Sequence, residues 1–222
     1  MGVTKTDFMR GIQCRKMLWL DKHKPQFKII PPEVQQALDR GNEFGDQAMG
    51  MFGEFVEATC FKPDGRLDYT QMIKNTKEYL ENGEPVICEA AFSFYGNYCA
   101  VDILRKVNGG YEMYEVKNSL EVTEQHLKDV GFQRYIASKC GVKITKCFVV
   151  LPSDGEEKYR ITDVSGAAWQ YSRWVNDNIW DLGKIKFQKE EIYVDMGEHC
   201  LFPYECWYCD YCRSLAQSDE KL

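Results

Sequence analysis

The sequence lacks the segments that mark membrane and secreted proteins. It contains no run of about 18 apolar residues, which is the length that a membrane-spanning helix requires. Its first 21 residues are interrupted by charged side chains, so we expect no signal peptide. Repeats and low-complexity segments are absent as well. These absences predict a cytoplasmic protein without a membrane segment, and the length predicts one domain over residues 1–222.

An excess of positive charge is also missing. The formal net charge is −6, which is atypical of a general nucleic-acid binder. It does not exclude an enzyme, because bound metal ions can supply positive charge at a site.

Cysteine, in contrast, is abundant, with ten residues in the chain. Disulfides are rare inside cells, so clustered cysteines indicate a metal ion or an iron–sulfur cluster. Four crowd the segment 200–212, namely Cys200, Cys206, Cys209 and Cys212. Five others lie in apolar or strand-like contexts, and we expect them to be buried small hydrophobic residues: Cys60, Cys88, Cys99, Cys140 and Cys147.

A β-hairpin is predicted around Asn108-Gly109, which favours a two-residue type I′ turn between strands 98–104 and 111–117. This turn places Asp102 opposite Glu115, with Lys117 on the same face. Opposed carboxylates repel each other, so the pattern predicts a hard metal ion between them and a lysine beside it. The alternative is an exposed hairpin with solvated charges.

Two groups of motifs carry a resemblance to a known family. Val101-Asp102 followed by Glu115-Val116-Lys117 resembles the core of the PD-(D/E)XK nuclease superfamily. Together with Cys14 and the spacing Cys200-x5-Cys206-x5-Cys212, it is similar to the iron–sulfur branch of the RecB-type nucleases, which includes the CRISPR-associated RecB-like exonucleases. The resemblance implies an α/β fold with a restriction-endonuclease-like α/β/α core, a mixed central sheet and a catalytic core at residues 85–151.

The resemblance also implies a 4Fe-4S cluster. Its ligands would be Cys14, Cys200, Cys206 and Cys212, which would join the N- and C-terminal segments. Cys209 is then an additional thiol, either a ligand in place of a neighbour or a bystander. The alternative is a zinc ion held by the four C-terminal cysteines alone. The sequence shows no other tether between the two chain ends.

At the active site, the resemblance implies Mg²⁺ or Mn²⁺ bound by Asp102, Glu115 and the carbonyl of Val116, with Glu89 assisting. Such a metal would polarise the scissile phosphate and make water more acidic. Lys117 would orient that water or stabilise charge in the transition state.

Two further positions follow from the same resemblance. Gln133 is implied as a backbone or DNA contact. Gly45 stands where the family often has a histidine, so an auxiliary metal ligand is missing and we expect weak metal affinity; Glu43 is a candidate substitute.

The function implied is metal-dependent hydrolysis of DNA, as an exonuclease on single strands that works with DNA-processing proteins. The alternative is a non-catalytic DNA-binding or scaffold module of the same fold. The remaining chain predicts helices over 4–19, 33–55, 67–81, 124–140 and 165–180, and strands over 85–94 and 144–151. We expect Trp169, Trp174 and Trp180 to be core residues rather than stacking platforms for bases.

Overall fold

A computed structural model describes residues 2–219 as a mixed α/β structure whose six-stranded sheet is flanked by helices. The strands are β1 (Val56–Glu57), β2 (Val86–Phe94), β3 (Asn97–Val107), β4 (Gly110–Val116), β5 (Ile144–Pro152) and β6 (Tyr159–Asp163). The helices are α1 (Lys5–Gln13), α2 (Arg15–His23), α3 (Pro32–Ala48), α4 (Tyr69–Asn82), α5 (Glu124–Lys139), α6 (Ser165–Phe187) and α7 (Cys209–Asp219). Within residues 2–219, none of the helices has the length and apolar character needed to cross a membrane.

The sheet is mixed, as predicted, and its strands lie in chain order from β1 to β6. Strands β2, β3 and β4 form an antiparallel meander, and β6 pairs antiparallel with β5. The pairs β1–β2 and β4–β5 are parallel. Parallel neighbours need a crossover connection, and α5 provides it between β4 and β5.

Helices cover both faces of the sheet. The larger core lies on the face that packs against α1, α5 and α6, with Phe8, Phe132 and Ile179 among its buried residues. On the other face, Ala48 at the end of α3 packs with Val150 and its neighbours.

The β3–β4 hairpin has the predicted register but not the predicted turn. Val107 pairs with Gly110, and Ile103 pairs with Tyr114. Gly109 has a φ of 88°, whereas Asn108 does not have positive φ, so the turn is not type I′. Gly110, the next residue, has a φ of 156°, which glycine can adopt because it has no Cβ.

Most predicted elements are present, with different bounds. The predicted helix over 4–19 is wrong as one element, because Cys14 is extended (φ −153°, ψ 116°) and separates α1 from α2. The predicted helix over 33–55 ends as an α-helix at Ala48, and α6 runs on to Phe187. The short strands β1 and β6 and the helix α7 were not predicted.

Candidate functional site

Three carboxylates lie in a row across β2, β3 and β4. The pairs Cys88–Ile103 and Ala90–Val101 place Glu89 opposite Asp102. The hairpin register, which is recorded up to Ile103–Tyr114, places Asp102 opposite Glu115. Like charges on neighbouring strands repel, so this row is stable only where protons, lysines or a metal ion compensate it.

Glu89 has an unusual backbone conformation. Its φ is 52°, in the left-handed region that residues with a Cβ rarely adopt. Such a conformation costs of order 1–3 kcal/mol and persists where the surrounding structure holds it, often at functional sites. Here the flanking ladder pairs of β2 and β3 hold it in the sheet.

Asp102 closes the end of the hairpin. Its Oδ2 accepts a hydrogen bond from the backbone N–H of Val116 at 2.6 Å. The side chain therefore replaces the ladder bond that the backbone of β3 would otherwise supply at this point. This hydrogen bond to the backbone of β4 holds the Asp102 carboxylate beside Glu115.

Glu115 is buried and is neutralised by two ammonium groups. Lys5 Nζ and Lys117 Nζ lie 2.8 Å and 2.7 Å from its Oε1. Lys117 also lies 2.7 Å from Asp129 Oδ2. Gln133 on α5 donates from its Nε2 to Glu115 Oε2. Burial opposes ionisation of Glu115, but Lys117 and Lys5 outweigh it and hold the pKa of this carboxyl well below its usual range.

The other two carboxyls of the row are affected in the opposite direction. Burial raises the pKa of Glu89 to about 8, and the charge of Asp102 adds to the effect. Burial and Glu115 likewise raise the pKa of Asp102. Fully ionised, the row would carry three negative charges against two ammonium groups. Part of it is therefore protonated near neutral pH, and a bound cation would stabilise its ionised form.

Lys5 and Asp129 were not predicted as site residues. Lys5 reaches Glu115 because the N-terminal segment is joined to β3, where Tyr98 N donates to Val3 O at 3.0 Å. A capping box between Thr4 and Asp7 then begins α1 beside the site. The sequence has no signal for this contact, because 110 positions separate the two residues. Asp129 lies one turn before Gln133 on α5, a local spacing that could have indicated it.

The carboxylate row opens into a cleft of about 1030 Å³. Five carboxylates and two lysines line it: Asp46, Glu57, Glu89, Asp102, Glu115, Lys5 and Lys117. The surplus of negative charge means that a phosphate group would enter this cleft unfavourably without cations.

Helix α3 forms one wall of the cleft. Gly41, Gly45 and Asp46 line it, whereas Glu43 is exposed and lies outside the lining. Asp46 is therefore better placed than Glu43 to replace the histidine expected at Gly45. A Cβ at Gly45 would meet no atom within 4 Å, so the wall has room for a side chain there.

The oxygen atoms of these side chains are of the chemical type that binds a hard cation. Carboxylate and amide oxygens are the ligands that Mg²⁺ prefers. Gln133 Oε1 is a buried side-chain atom without a hydrogen-bond partner in residues 2–219, and it belongs to the amide that touches Glu115. In the same residues, no group of three or more acidic, histidine or cysteine side chains is arranged so that it could hold a metal ion. A cation here would have to draw Glu115 away from its lysines.

A second group of side chains lies at the break between α1 and α2. Cys14 and the four C-terminal cysteines line one small space of about 10 Å³: Cys200, Cys206, Cys209 and Cys212. This is about the smallest volume that a single water molecule fills, so the five cysteines lie close together. Cys206 and Cys209 are buried, whereas Cys14, Cys200 and Cys212 are half-buried. The structure brings Cys209 to the same space as the four predicted ligands. Within residues 2–219, however, no three of these thiols are arranged so that they could hold a metal ion.

The chain ends are joined by more than these cysteines, contrary to the expectation. Gln13 Nε2 donates to the carbonyls of Tyr204 and His199 at 2.6 Å and 2.9 Å. The guanidinium of Arg10 lies 4.4 Å from the ring centroid of Trp207. Polar and aromatic contacts therefore hold the N-terminal helices to the C-terminal segment independently of any metal.

The predicted burial of the other cysteines is confirmed in part. Cys88, Cys99 and Cys147 are buried, as expected. Cys140 is exposed, because it follows the last turn of α5, and Cys60 is half-buried in the loop before α4.

The sequence matches no protein-family model, and it matches no curated protein significantly. The resemblance to RecB-type nucleases therefore depends on the motifs themselves.

Proposed function

We propose that the protein is a metal-dependent deoxyribonuclease of the PD-(D/E)XK type that acts as an exonuclease on single-stranded DNA. The observation that carries this proposal is the row of Glu89, Asp102 and Glu115 across three strands, with Lys117 beside it in an open cleft. A structural hairpin would have no reason to place one buried and two half-buried carboxylates side by side, because their like charges repel one another.

The proposal extends to the fold. A three-stranded antiparallel meander that continues through α5 into the parallel strand β5, with helices on both faces, is compatible with a restriction-endonuclease-like α/β/α core. The acidic residues lie at the end of the β3–β4 hairpin that leads into this crossover.

The residues that would hold Mg²⁺ or Mn²⁺ are Asp102, Glu115 and the Val116 carbonyl, with Glu89 assisting. When bound, the ion would supply positive charge at the scissile phosphate and make a water molecule more acidic. The amide of Gln133 is placed to fix the orientation of Glu115 through its hydrogen bond.

Lys117 supplies a fixed positive charge rather than a base. Burial opposes its protonation, but Glu115 and Asp129 outweigh this and raise its pKa well above the ordinary value. The side chain is therefore an ammonium at neutral pH and can donate to a phosphate oxygen or orient a water, but it cannot accept a proton. Lys5, whose pKa is also raised because Glu115 outweighs burial, provides a second ammonium on the same carboxylate. Both would stabilise negative charge that develops on the phosphate.

We further propose that Cys14, Cys200, Cys206 and Cys212 hold a 4Fe-4S cluster that fastens the chain ends. Zinc on the four C-terminal cysteines, without Cys14, is the alternative, since both groups are bound by four thiolates. Metal analysis separates them.

The second candidate function is a DNA-binding or scaffold module without catalysis. The ion pairs of Glu115 favour this second function, because the contacts of its Oε1 with Lys5 and Lys117 have to weaken before a metal can bind.

The deciding experiment uses end-labelled single- and double-stranded DNA with Mg²⁺, Mn²⁺ or EDTA. We expect metal-dependent shortening of the single strand by the wild type and none by Asp102→Asn. Asp154→Asn, at an exposed loop position, is the matched control and should cleave normally. Binding without cleavage under all metal conditions would establish the non-catalytic module instead.

A further inference from the structure

A second groove lies between α5 and α6, and its volume is about 490 Å³. Three cations and one carboxylate line it: Arg134, Lys139, Arg173 and Asp177. The groove therefore has an excess of positive charge, whereas the acidic cleft has an excess of negative charge and the whole chain has a net charge of −6. A local excess of positive charge on an acidic protein indicates an anionic ligand.

Arg134 is the most unusual of these cations. It is buried, and its Nη1 donates to Ser172 Oγ at 3.2 Å. Burial lowers its pKa, and within residues 2–219 it forms no ion pair with a carboxylate. A desolvated charge without a counter-ion is costly, and an anion in the groove would offset that cost.

Aromatic side chains continue the groove along the exposed face of α6. Trp169 is 54% exposed, and its ring centroid lies 3.7 Å from the guanidinium carbon of Arg134. Arg173 follows one turn later, and Trp180, which is 43% exposed, lies further along the same face. The expectation that Trp169 and Trp180 are core residues is therefore wrong; Trp174, on the inner side of α6, packs against the core.

The turn between β2 and β3 extends this aromatic face. Tyr95 is 75% exposed and its ring centroid lies 6.0 Å from that of Trp180. Its φ of 50° is rare for a residue with a large side chain. Lys139 connects the groove that it lines to this turn. Its Nζ lies 5.9 Å from the ring centroid of Phe94, which contacts both Tyr95 and Trp180.

We infer that this α5–α6 groove binds single-stranded nucleic acid outside the catalytic cleft. The phosphates would contact Arg134, Lys139 and Arg173, and the bases would stack on Trp169, Trp180 and Tyr95. Alternating cations and exposed rings are the means by which proteins hold single strands without reading their sequence. A duplex binds more weakly here, because its bases are already stacked on one another. The inference goes beyond the proposed cleavage, since binding in the groove requires no metal.

The test measures fluorescence anisotropy of a labelled oligo(dT) of about 12 nucleotides in EDTA, where cleavage cannot occur. The variants are Trp169→Ala and Arg173→Ala, both at exposed positions. The matched controls are Tyr193→Ala, which removes another exposed ring, and Lys74→Ala, which removes another exposed cation.

We expect Trp169→Ala to weaken binding about 5- to 150-fold, as for the loss of one stacked base. The plot of log K against log salt has a negative slope, and Arg173→Ala should make it less steep by about 0.7. The controls should bind like the wild type. Absence of wild-type binding, equal losses in the controls, or displacement of the strand by dTMP at equal concentration would each overturn the inference. Because the assay excludes cleavage, its outcome is independent of whether the acidic cleft is catalytic.

Discussion

Lys5 Nζ lies 2.8 Å from Glu115 Oε1, so the first helix places an ammonium on a carboxylate of the fourth strand. The contact makes Glu115 different from its neighbours in the row. Glu115 is ionised and compensated by lysines, whereas the raised pKa values of Glu89 and Asp102 mean that their ionised forms lack compensation. The same three carboxylates should therefore respond differently to mutation, pH and metal.

The first prediction concerns Asp102→Asn and Glu115→Gln. Both variants should lose cleavage, because each removes a carboxylate that would hold the metal. Their stabilities should diverge. Asp102→Asn relieves repulsion and should leave Tm unchanged or higher, whereas Glu115→Gln leaves Lys5 and Lys117 without their shared partner and should cost about 2 kcal/mol, or roughly 4–8 °C in Tm. Thermal unfolding without metal measures both. Equal effects on Tm would show that the lysines do not depend on Glu115.

The second prediction concerns pH. The pKa of Glu89 rises from an ordinary 4.5 to about 8 in the folded protein. A raised pKa means that this group favours folding fully below pH 4.5, and that its contribution is lost as the pH rises through 8. Metal-free protein should therefore lose stability between about pH 5 and 8, and Mg²⁺ should restore more stability at pH 8 than at pH 5.

Urea denaturation at several pH values, with and without Mg²⁺, measures this dependence. The double variant Glu89→Gln with Asp102→Asn is the control, and its profile should be flatter because both titrating groups are absent. A wild-type profile as flat as that of the double variant would contradict the charge imbalance.

The third prediction concerns Gly45, whose Cβ position faces open space in the cleft. Gly45→His should tighten Mn²⁺ binding about tenfold, because an imidazole adds a ligand where only carboxylates and carbonyls are available. Gly41→His is the matched control, since Gly41 lines the same wall one turn earlier. Calorimetry without DNA compares them. Tight Mg²⁺ binding by the wild-type protein in the absence of DNA would contradict the expectation that its site lacks a ligand.

The fourth prediction concerns the cysteines. Anaerobically purified protein should be brown and carry about four irons per chain. Cys14→Ser should bleach it, whereas Cys209→Ser should matter less if Cys14 is the fourth ligand. Colourless protein with one zinc that is unaffected by Cys14→Ser would establish the zinc site instead.

The structural consequence of Cys14→Ser should be moderate. Gln13 and Arg10 still bind the C-terminal segment through His199, Tyr204 and Trp207. Limited proteolysis should therefore show a loosened C-terminal segment without release of the N-terminal helices. Global unfolding would mean that the cluster, and not these contacts, holds the ends together.

The sequence was informative where structure depends on neighbouring positions. The hairpin register followed from the turn residues and the alternation of side chains, which is why Asp102 was correctly placed opposite Glu115 although the turn type was wrong. The helix carrying Gln133 and the strand carrying Glu89 were also recognisable from local periodicity.

The break at Cys14 shows the limit of such reasoning. The apolar spacing over residues 4–19 is compatible with one helix, and nothing local ends it. The extended backbone at Cys14 lies where its side chain shares a space with cysteines almost 200 positions away. Tertiary context overrides helix propensity at such positions.

By itself, the sequence determined the β3–β4 register and the opposed carboxylates, because turns and periodic patterns act over a few residues. Only the tertiary structure decided that Lys5 neutralises Glu115, that Gln13 joins the chain ends and that Trp169 lies on the surface above Arg134. Each of these depends on how helices pack on the sheet, and packing joins residues that share no local pattern in the chain.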